Sequence, residues 1–175
     1  MKQPADLLSR VQVALLHSGH DGAAFRCGVQ ALEHYLGQQA GQDSRRHVAS
    51  VFVAQDCADN TVVGFYTLST AAVPLGVLPA QLMRKLPNYP TIPAVRLGRL
   101  AVDLRAKGAG LGAHLLLDAL ARALSSEMAW ALFVVDAKDA NAAAFYAKFG
   151  FAALADDPNR LFLPRATIAG LFGPK

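Results

Sequence analysis

Three glycines and two basic residues share the eight positions Arg105-Ala106-Lys107-Gly108-Ala109-Gly110-Leu111-Gly112. Glycine reaches positive φ at little cost, so successive backbone N–H groups can be turned toward one point. The apolar run that follows starts a helix, and a helix start adds positive potential. With the full charges of Arg105 and Lys107, the segment makes a cradle for a phosphate or diphosphate. A P-loop would need a Gly-Lys-Ser/Thr ending, which is missing. Gly108, Gly110 and Ala113 superficially meet a dinucleotide fingerprint, but that should open a series of β-α-β units, and only about sixty residues follow. A purely structural glycine turn stays open at this point.

The surroundings carry the same sign of charge. From Asn60 to Leu117 the only acid is Asp103, against Arg84, Lys85, Arg96, Arg99, Arg105 and Lys107, a net of +5 in a chain whose total is +4. An anionic ligand or partner is the natural expectation. Two cysteines, Cys27 and Cys57, form no Cys-x-x-Cys pair and read as two buried thiols. His17 and His20 lie beside Asp21, but a metal site needs a further ligand and no His-Glu-x-x-His exists, so no metal is expected. No Gly-x-Ser-x-Gly elbow of a serine hydrolase occurs.

The elements that must position the loop are legible from periodicity. The 175 residues fit one domain, and 53% hydrophobic with 17% charged residues supports a sizeable core. Arg10 to Leu16 reads as a short strand. Val29, Leu32, Tyr35 and Leu36 recur at helical spacing, so Gly28 to Gln39 reads as an amphipathic helix, with Gly41 to His47 a loop after it. Val48 to Gln55 and Thr61 to Thr70 flank a turn at Asp56 to Asn60, a hairpin signal. Val73 to Pro93 reads as a mostly irregular excursion with one short helix near Leu82.

Val95 to Asp103 is a strand with a defect, since Val95 and Leu97 differ in parity from Leu100 and Val102. Either a bulge at Gly98-Arg99 restores one buried face, or the strand is buried on both. Leu111 to Leu124 is a helix with Leu116, Leu120 and Leu124 as an apolar row and His114, Asp118 and Arg122 as its wet stripe. Trp130 to Val135 is a strand. Asp139 can cap a helix from Ala140 to Phe149, with Gly150 as its left-handed terminus. Phe151 to Leu154 and Arg160 to Leu163 are closing strands. This order predicts an α/β (α+β) domain around one twisted, mixed, largely antiparallel sheet flanked by helices.

Arg105, Gly108 and Gly110 fit the pattern Arg/Gln-x-x-Gly-x-Gly/Ala. About 30 residues further on, past a helix and a strand, comes Asn141-Ala142-Ala143-Ala144-Phe145-Tyr146-Ala147-Lys148-Phe149-Gly150-Phe151. The pair resembles the GNAT N-acetyltransferase superfamily over roughly Val48 to Leu163. Phe25-x-Cys27-Gly28, then Leu32, Tyr35 and Leu36, Gly64-Phe65-Tyr66, and Leu97-Gly98-Arg99-Leu100-Ala101-Val102-Asp103 extend the likeness. Over nearly the full chain they resemble the acetyltransferase toxins of type II toxin–antitoxin modules.

The resemblance implies a single GNAT domain over 1–175. It implies acetyl transfer from acetyl-CoA to the α-amine of an aminoacyl-tRNA, which blocks translation. The implied partners are a ribbon-helix-helix type antitoxin and a second copy of the chain. With no signal-peptide pattern at the N-terminus and no apolar run near 18 residues, a cytoplasmic protein is expected, and no membrane partner. Implied cofactor contacts are Leu100, Ala101, Val102, Arg105, Ala106, Lys107, Gly108, Ala109, Gly110, Leu111, Gly112, Asn141 and Phe145. Candidates for tRNA phosphates are Arg45, Arg46, Arg84, Lys85 and Arg99, although the chain is only mildly cationic.

The implied reaction is attack of an amine on a thioester. A model α-amino group titrates at about 7.7–8.0 and an aminoacyl ester lower still, so no strong base is required. None lies on the strands Thr61 to Thr70 or Val95 to Val102. Tyr146 is the expected acid: a phenol of pKa about 10 keeps its proton at neutral pH and can donate to a thiolate of about 8.5. Freed N–H and C=O groups at Leu100 and Val102 would pair with the pantetheine amides, and one N–H would steady the thioester oxygen. The alternatives are acetylation of a small-molecule or protein amine, and a non-catalytic acyl-CoA-binding or antitoxin-binding module.

Overall fold

The computed structural model describes residues 4–173. In chain order it holds α1 (Pro4–Arg10), β1 (Val11–Leu15), α2 (Gln30–His34), a π-helical turn (Tyr35–Gln39), α3 (Ala40–Arg45), β2 (Ser50–Asp56) and β3 (Thr61–Pro74). There follow α4 (Ala80–Met83), β4 (Thr91–Val102), α5 (Leu111–Leu124), β5 (Leu132–Asp136), α6 (Ala140–Ala147), β6 (Ala152–Leu154), β7 (Asp157–Pro164) and α7 (Arg165–Leu171). The strands form one sheet in the order β1-β2-β3-β4-β5-β7-β6. β4 and β5 pair in parallel, while β1/β2, β2/β3, β5/β7 and β6/β7 are antiparallel. This is the expected mixed, largely antiparallel class. No helix among the described residues is long and apolar enough to cross a membrane.

The chain divides into two compact units. One takes the residues up to Ser69 together with Arg99–Ala119. In it β2 and β3 are buried on both faces. Val51, Val53 and Phe65 pack with Phe25, Tyr35, Leu36 and Ala40. The opposite face meets α5. A Cβ on Gly64 would come 2.9 Å from the Leu115 Cδ1 and 3.1 Å from the Ala101 carbonyl oxygen, so only glycine allows this approach. Beside it Tyr66, fully buried, donates to the Asp118 carboxylate at 2.5 Å.

The second unit is Thr70–Gly98 with Leu120–Lys175. Residues Ala94 to Leu97 of β4 pair with Leu132 to Val135, and β5 pairs in turn with β7. One side of this sheet packs Val73, Leu78, Ile92, Leu132, Val134 and Phe162. The other is aromatic: Phe133 meets Trp130 and Phe151 edge to face. The Trp130 indole N–H donates to the Ala123 carbonyl at 3.0 Å, and the Arg165 guanidinium lies over its ring.

Several expectations are corrected. α1 and α7 were not foreseen. The segment Gly41 to His47 is not a loop, because helix continues through Arg45. The excursion shrinks to the stretch between Pro74 and Thr91, since β3 and β4 both run further than expected. In β4, Ile92 and Ala94 are buried on one parity and Leu97 and Ala101 on the other. The register with β5 runs unbroken from Ala94 to Leu97, so here β4 is buried on both faces, and further on the small Ala101 is buried while Leu100 and Val102 are only half-buried. On α5 the exposed positions are Leu117 and Ala121, whereas His114, Asp118 and Arg122 are half-buried. Cys27 is buried as expected, but Cys57 is exposed in the hairpin turn.

Candidate active site

The glycine loop is held from below by one residue. Asp103, fully buried, follows β4 directly and caps the 3₁₀ turn Leu104–Ala106. Its Oδ1 accepts from the Arg105 backbone N–H at 2.9 Å and Nε at 2.8 Å. Its Oδ2 accepts from the Arg26 N–H at 3.0 Å and Arg105 Nη2 at 3.0 Å. Burial pushes this carboxyl up, but the Arg105 guanidinium and the two backbone N–H groups outweigh it, so the group titrates below the ordinary carboxylate range. The backbone is fixed as well, with Asp103 N–H on the Val63 carbonyl and Leu104 N–H on the Arg26 carbonyl.

Arg105 gives its fork to Asp103 in a bidentate pair while its side chain stays 57% exposed. An anion at the loop would meet the backbone, Lys107 and the exposed edge of Arg105. Gly108 and Gly110 have φ of 82° and 81°, the left-handed region that turns neighbouring amides to a common side. Ala106 and Leu111 are buried and anchor the loop, Ala109 and Gly112 are half-buried, and Lys107, Gly108 and Gly110 are exposed. α5 then begins with first-turn N–H groups that have no partner within the helix. These donors fit a diphosphate. A cleft of about 350 Å³ flanks the loop, but Asp56 and Asp59 share it with Arg10, Arg105 and Lys107. Those acids make it a poor seat for an anion.

Upstream of Asp103, Leu100, Ala101 and Val102 lie past the β4–β5 register, which ends at Leu97. Arg99 is half-buried, with its guanidinium 3.7 Å above the Tyr35 ring. Tyr35 donates to Asp43 at 3.0 Å, and Gln39 reaches the other oxygen of the same carboxylate at 2.9 Å. Burial, then the bond to Asp43, pushes the Tyr35 phenol up to about 12. Sequence reasoning missed Tyr35 and Asp43 as partners of Arg99, because Tyr35 read as part of an apolar helical row and Asp43 lay in a segment read as a loop.

In the second unit, α6 starts as expected. Asp139 accepts from the Ala142 N–H at 2.8 Å, and Gly150 ends the segment at φ 93°. Tyr146 is 4% exposed, with its ring edge-on to Phe145 and Phe151. No described residue bonds its hydroxyl, yet among the described residues no fully buried side-chain oxygen lacks a partner, so the hydroxyl tip is the part left open. Burial, and secondarily the charge of Asp136, pushes its pKa above the ordinary phenol value. The group stays protonated throughout the neutral range. Asn141 is exposed on the first turn, and Phe145 is half-buried against Phe149.

The basic candidates are spread out. Arg45 and Arg46 sit exposed at the end of α3, and Arg84 and Lys85 exposed just after α4. Among the described residues no cluster of three His, Cys, Asp or Glu could hold a metal ion.

Comparison with known proteins defines the class. The family model for an acetyltransferase (GNAT) domain matches residues 85–161. A probable toxin TacT of Sinorhizobium fredii is 31% identical over 163 residues, 88% of this chain and 90% of the relative. A tRNA-acetylating toxin of Mycobacterium tuberculosis is 34% identical over 155 residues, 87% of this chain and 91% of its own. Among solved structures, AtaT complexed with acetyl-methionyl-tRNAfMet superposes with a TM-score of 0.85 at 30% identity, covering 93% of this chain and 99% of AtaT. A tyrosine-to-phenylalanine variant of AtaT bound to the C-terminus of the antitoxin AtaR and acetyl-CoA gives a TM-score of 0.80 at 25% identity, over 94% and 99%. The chain belongs to the GNAT acetyltransferase family, with toxins among its relatives.

Proposed function

We propose that the protein is an acetyl-CoA-dependent N-acetyltransferase that acetylates the α-amine of aminoacyl-tRNA and so blocks translation. The observation that carries this reading is the loop Lys107 to Gly112: two left-handed glycines and a helix start, clamped by a buried aspartate, present amides to a diphosphate. Acetyl-CoA supplies the acetyl thioester. The amides of Lys107 to Gly112 bind the diphosphate, and Arg105 holds them in place through Asp103. Leu100 and Val102 offer backbone N–H and C=O groups to the pantetheine amides, with Ala101 packed inward between them. One N–H near Leu100 stabilises negative charge on the acetyl oxygen. Asn141 and Phe145 complete the contacts.

Tyr146 holds a proton on its hydroxyl and delivers it to the departing sulfur as the C–N bond forms and the C–S bond breaks, while the amine's surplus proton passes to water, from which the phenol is reprotonated. Burial makes that proton secure, since the phenol does not ionise near neutral pH. Arg45, Arg46, Arg84, Lys85 and Arg99 supply positive charge for tRNA phosphates. The chain acts as one GNAT domain over residues 1–175, cytoplasmic, paired with a second copy, and neutralised by an antitoxin of ribbon-helix-helix type.

The test is incubation with labelled acetyl-CoA and total aminoacyl-tRNA, followed by nuclease digestion. Label recovered on the α-amine of the esterified amino acid supports the reading. Label found only on free amines or on protein overturns it.

A further inference from the structure

A second polar recess lies in the first unit, away from the glycine loop in sequence. It encloses about 530 Å³ and is lined by His17, His20, Gln38, Gln42, Ser44 and Arg45, with glycines and aliphatic side chains completing it. No acid lines it, so its one fixed charge is the Arg45 guanidinium. The volume lies within the usual span of small-ligand sites, about 300–1,000 Å³.

The two histidines are built into it in a defined state. The His17 N–H donates to the His20 Nδ1 at 3.2 Å, and the Gly19 N–H donates to the His17 Nδ1 at 3.0 Å. Both Nδ1 atoms are therefore acceptors, and both rings carry their proton on Nε2. The rings stack with centroids 3.8 Å apart and planes 26° from parallel. His17 is exposed, so its outer face stays open while the other is covered. Burial, then the neighbouring ring, pushes the His20 pKa below its ordinary value.

An aromatic face, two neutral N–H donors, carboxamide groups that both donate and accept, and one guanidinium form the set that recognises an unpaired nucleotide. Stacking takes the base, carboxamides and imidazole N–H groups take base edges and ribose hydroxyls, and the arginine takes phosphate. We propose that this recess binds a single-stranded nucleotide of the RNA substrate. The inference rests on aminoacyl-tRNA being that substrate, and it makes His17 and His20 RNA contacts beside Arg45.

The experiment is titration of the full chain with the single-stranded tetranucleotide 5′-ACCA-3′, following the imidazole proton resonances of His17 and His20 by NMR. Saturable shifts of both are expected, and His17→Ala, His20→Ala and Arg45→Ala should each weaken binding about five- to fiftyfold, the usual scale for a lost stacking or phosphate contact. With aminoacyl-tRNA the same variants should raise KM more than they lower kcat. Unshifted histidine resonances, or variant affinities equal to the parent's, would overturn the proposal. So would shifts induced by an acidic peptide but not by the tetranucleotide. Failure of the parent protein to acetylate aminoacyl-tRNA while the tetranucleotide still shifts both rings would instead count against the proposed reaction and leave this site standing.

Discussion

Replacing Asp103 with asparagine should loosen the diphosphate loop and lower stability together. The native carboxylate accepts four hydrogen bonds, two on each oxygen. Asparagine keeps one oxygen whichever way its amide turns, and it points N–H groups at the remaining two donors. A bond to a charged, buried acceptor is worth about 1.5–3 kcal/mol net. The Arg105 side chain is 57% exposed, so water recovers part of its share. The expected loss is therefore about 2–4 kcal/mol.

The sign of the pH dependence follows from the depressed pKa of Asp103. Its contribution is fully present above the unfolded value of about 3.9 and is lost as pH falls through the lower folded value. Urea unfolding at pH 7 should show the full gap between parent and Asp103→Asn, and the gap should narrow steadily below about pH 4. At pH 7 the KM for acetyl-CoA should rise in the variant. Equal stability of the two proteins at pH 7, or a gap that persists unchanged in acid, would refute the clamp.

Tyr146→Phe should keep acetyl-CoA affinity and cut turnover by about 10²–10⁴, measured by single-turnover acetylation; undiminished turnover would remove Tyr146 from the reaction. Gly64→Ala should cost about 1–3 kcal/mol in thermal unfolding, because its Cβ would press on Leu115 and on the Ala101 carbonyl oxygen. Affinity for aminoacyl-tRNA should fall as salt rises, with a linear log–log slope, since phosphate contacts release counterions; a flat salt profile would argue for a small acceptor.

Elements that declare themselves by apolar period or by apolar runs about a turn were legible in the sequence, and those held by other means were not. α5 was placed within a few residues because its apolar residues repeat at the helical period, and the hairpin strands because runs rich in Val, Phe and Tyr flank a turn. α3 has no such period. It is secured by Ala40 in the core and by Gln39 and Tyr35 bonding Asp43 across the helical turns. The start of β4 was hidden by Pro93, which cannot donate to a ladder. Its carbonyl nevertheless accepts from the Ala131 N–H at 2.9 Å, and its neighbours Ile92 and Ala94 are buried. The stripe His114, Asp118, Arg122 misled for a related reason. A buried tyrosine hydroxyl needs an acceptor, and Asp118 provides it by turning inward.

The candidate site shows the same division. The glycines were legible because their chemistry is a backbone requirement that few other residues meet. The residue that makes the loop rigid was also written in the sequence, in the charge count rather than the motif. Asp103 is the lone acid between Asn60 and Leu117. A single carboxylate in so basic a stretch has cations on hand, and at zero exposure it cannot stay charged without them. Its partner Arg105 is the motif's own arginine. That pairing fixes the loop: the guanidinium, on a side chain that stays 57% exposed, neutralises the buried carboxylate, and Lys107 lies exposed two residues on. A diphosphate bound there, as proposed, would meet backbone already fixed by Asp103, without the entropy cost of ordering a free side chain.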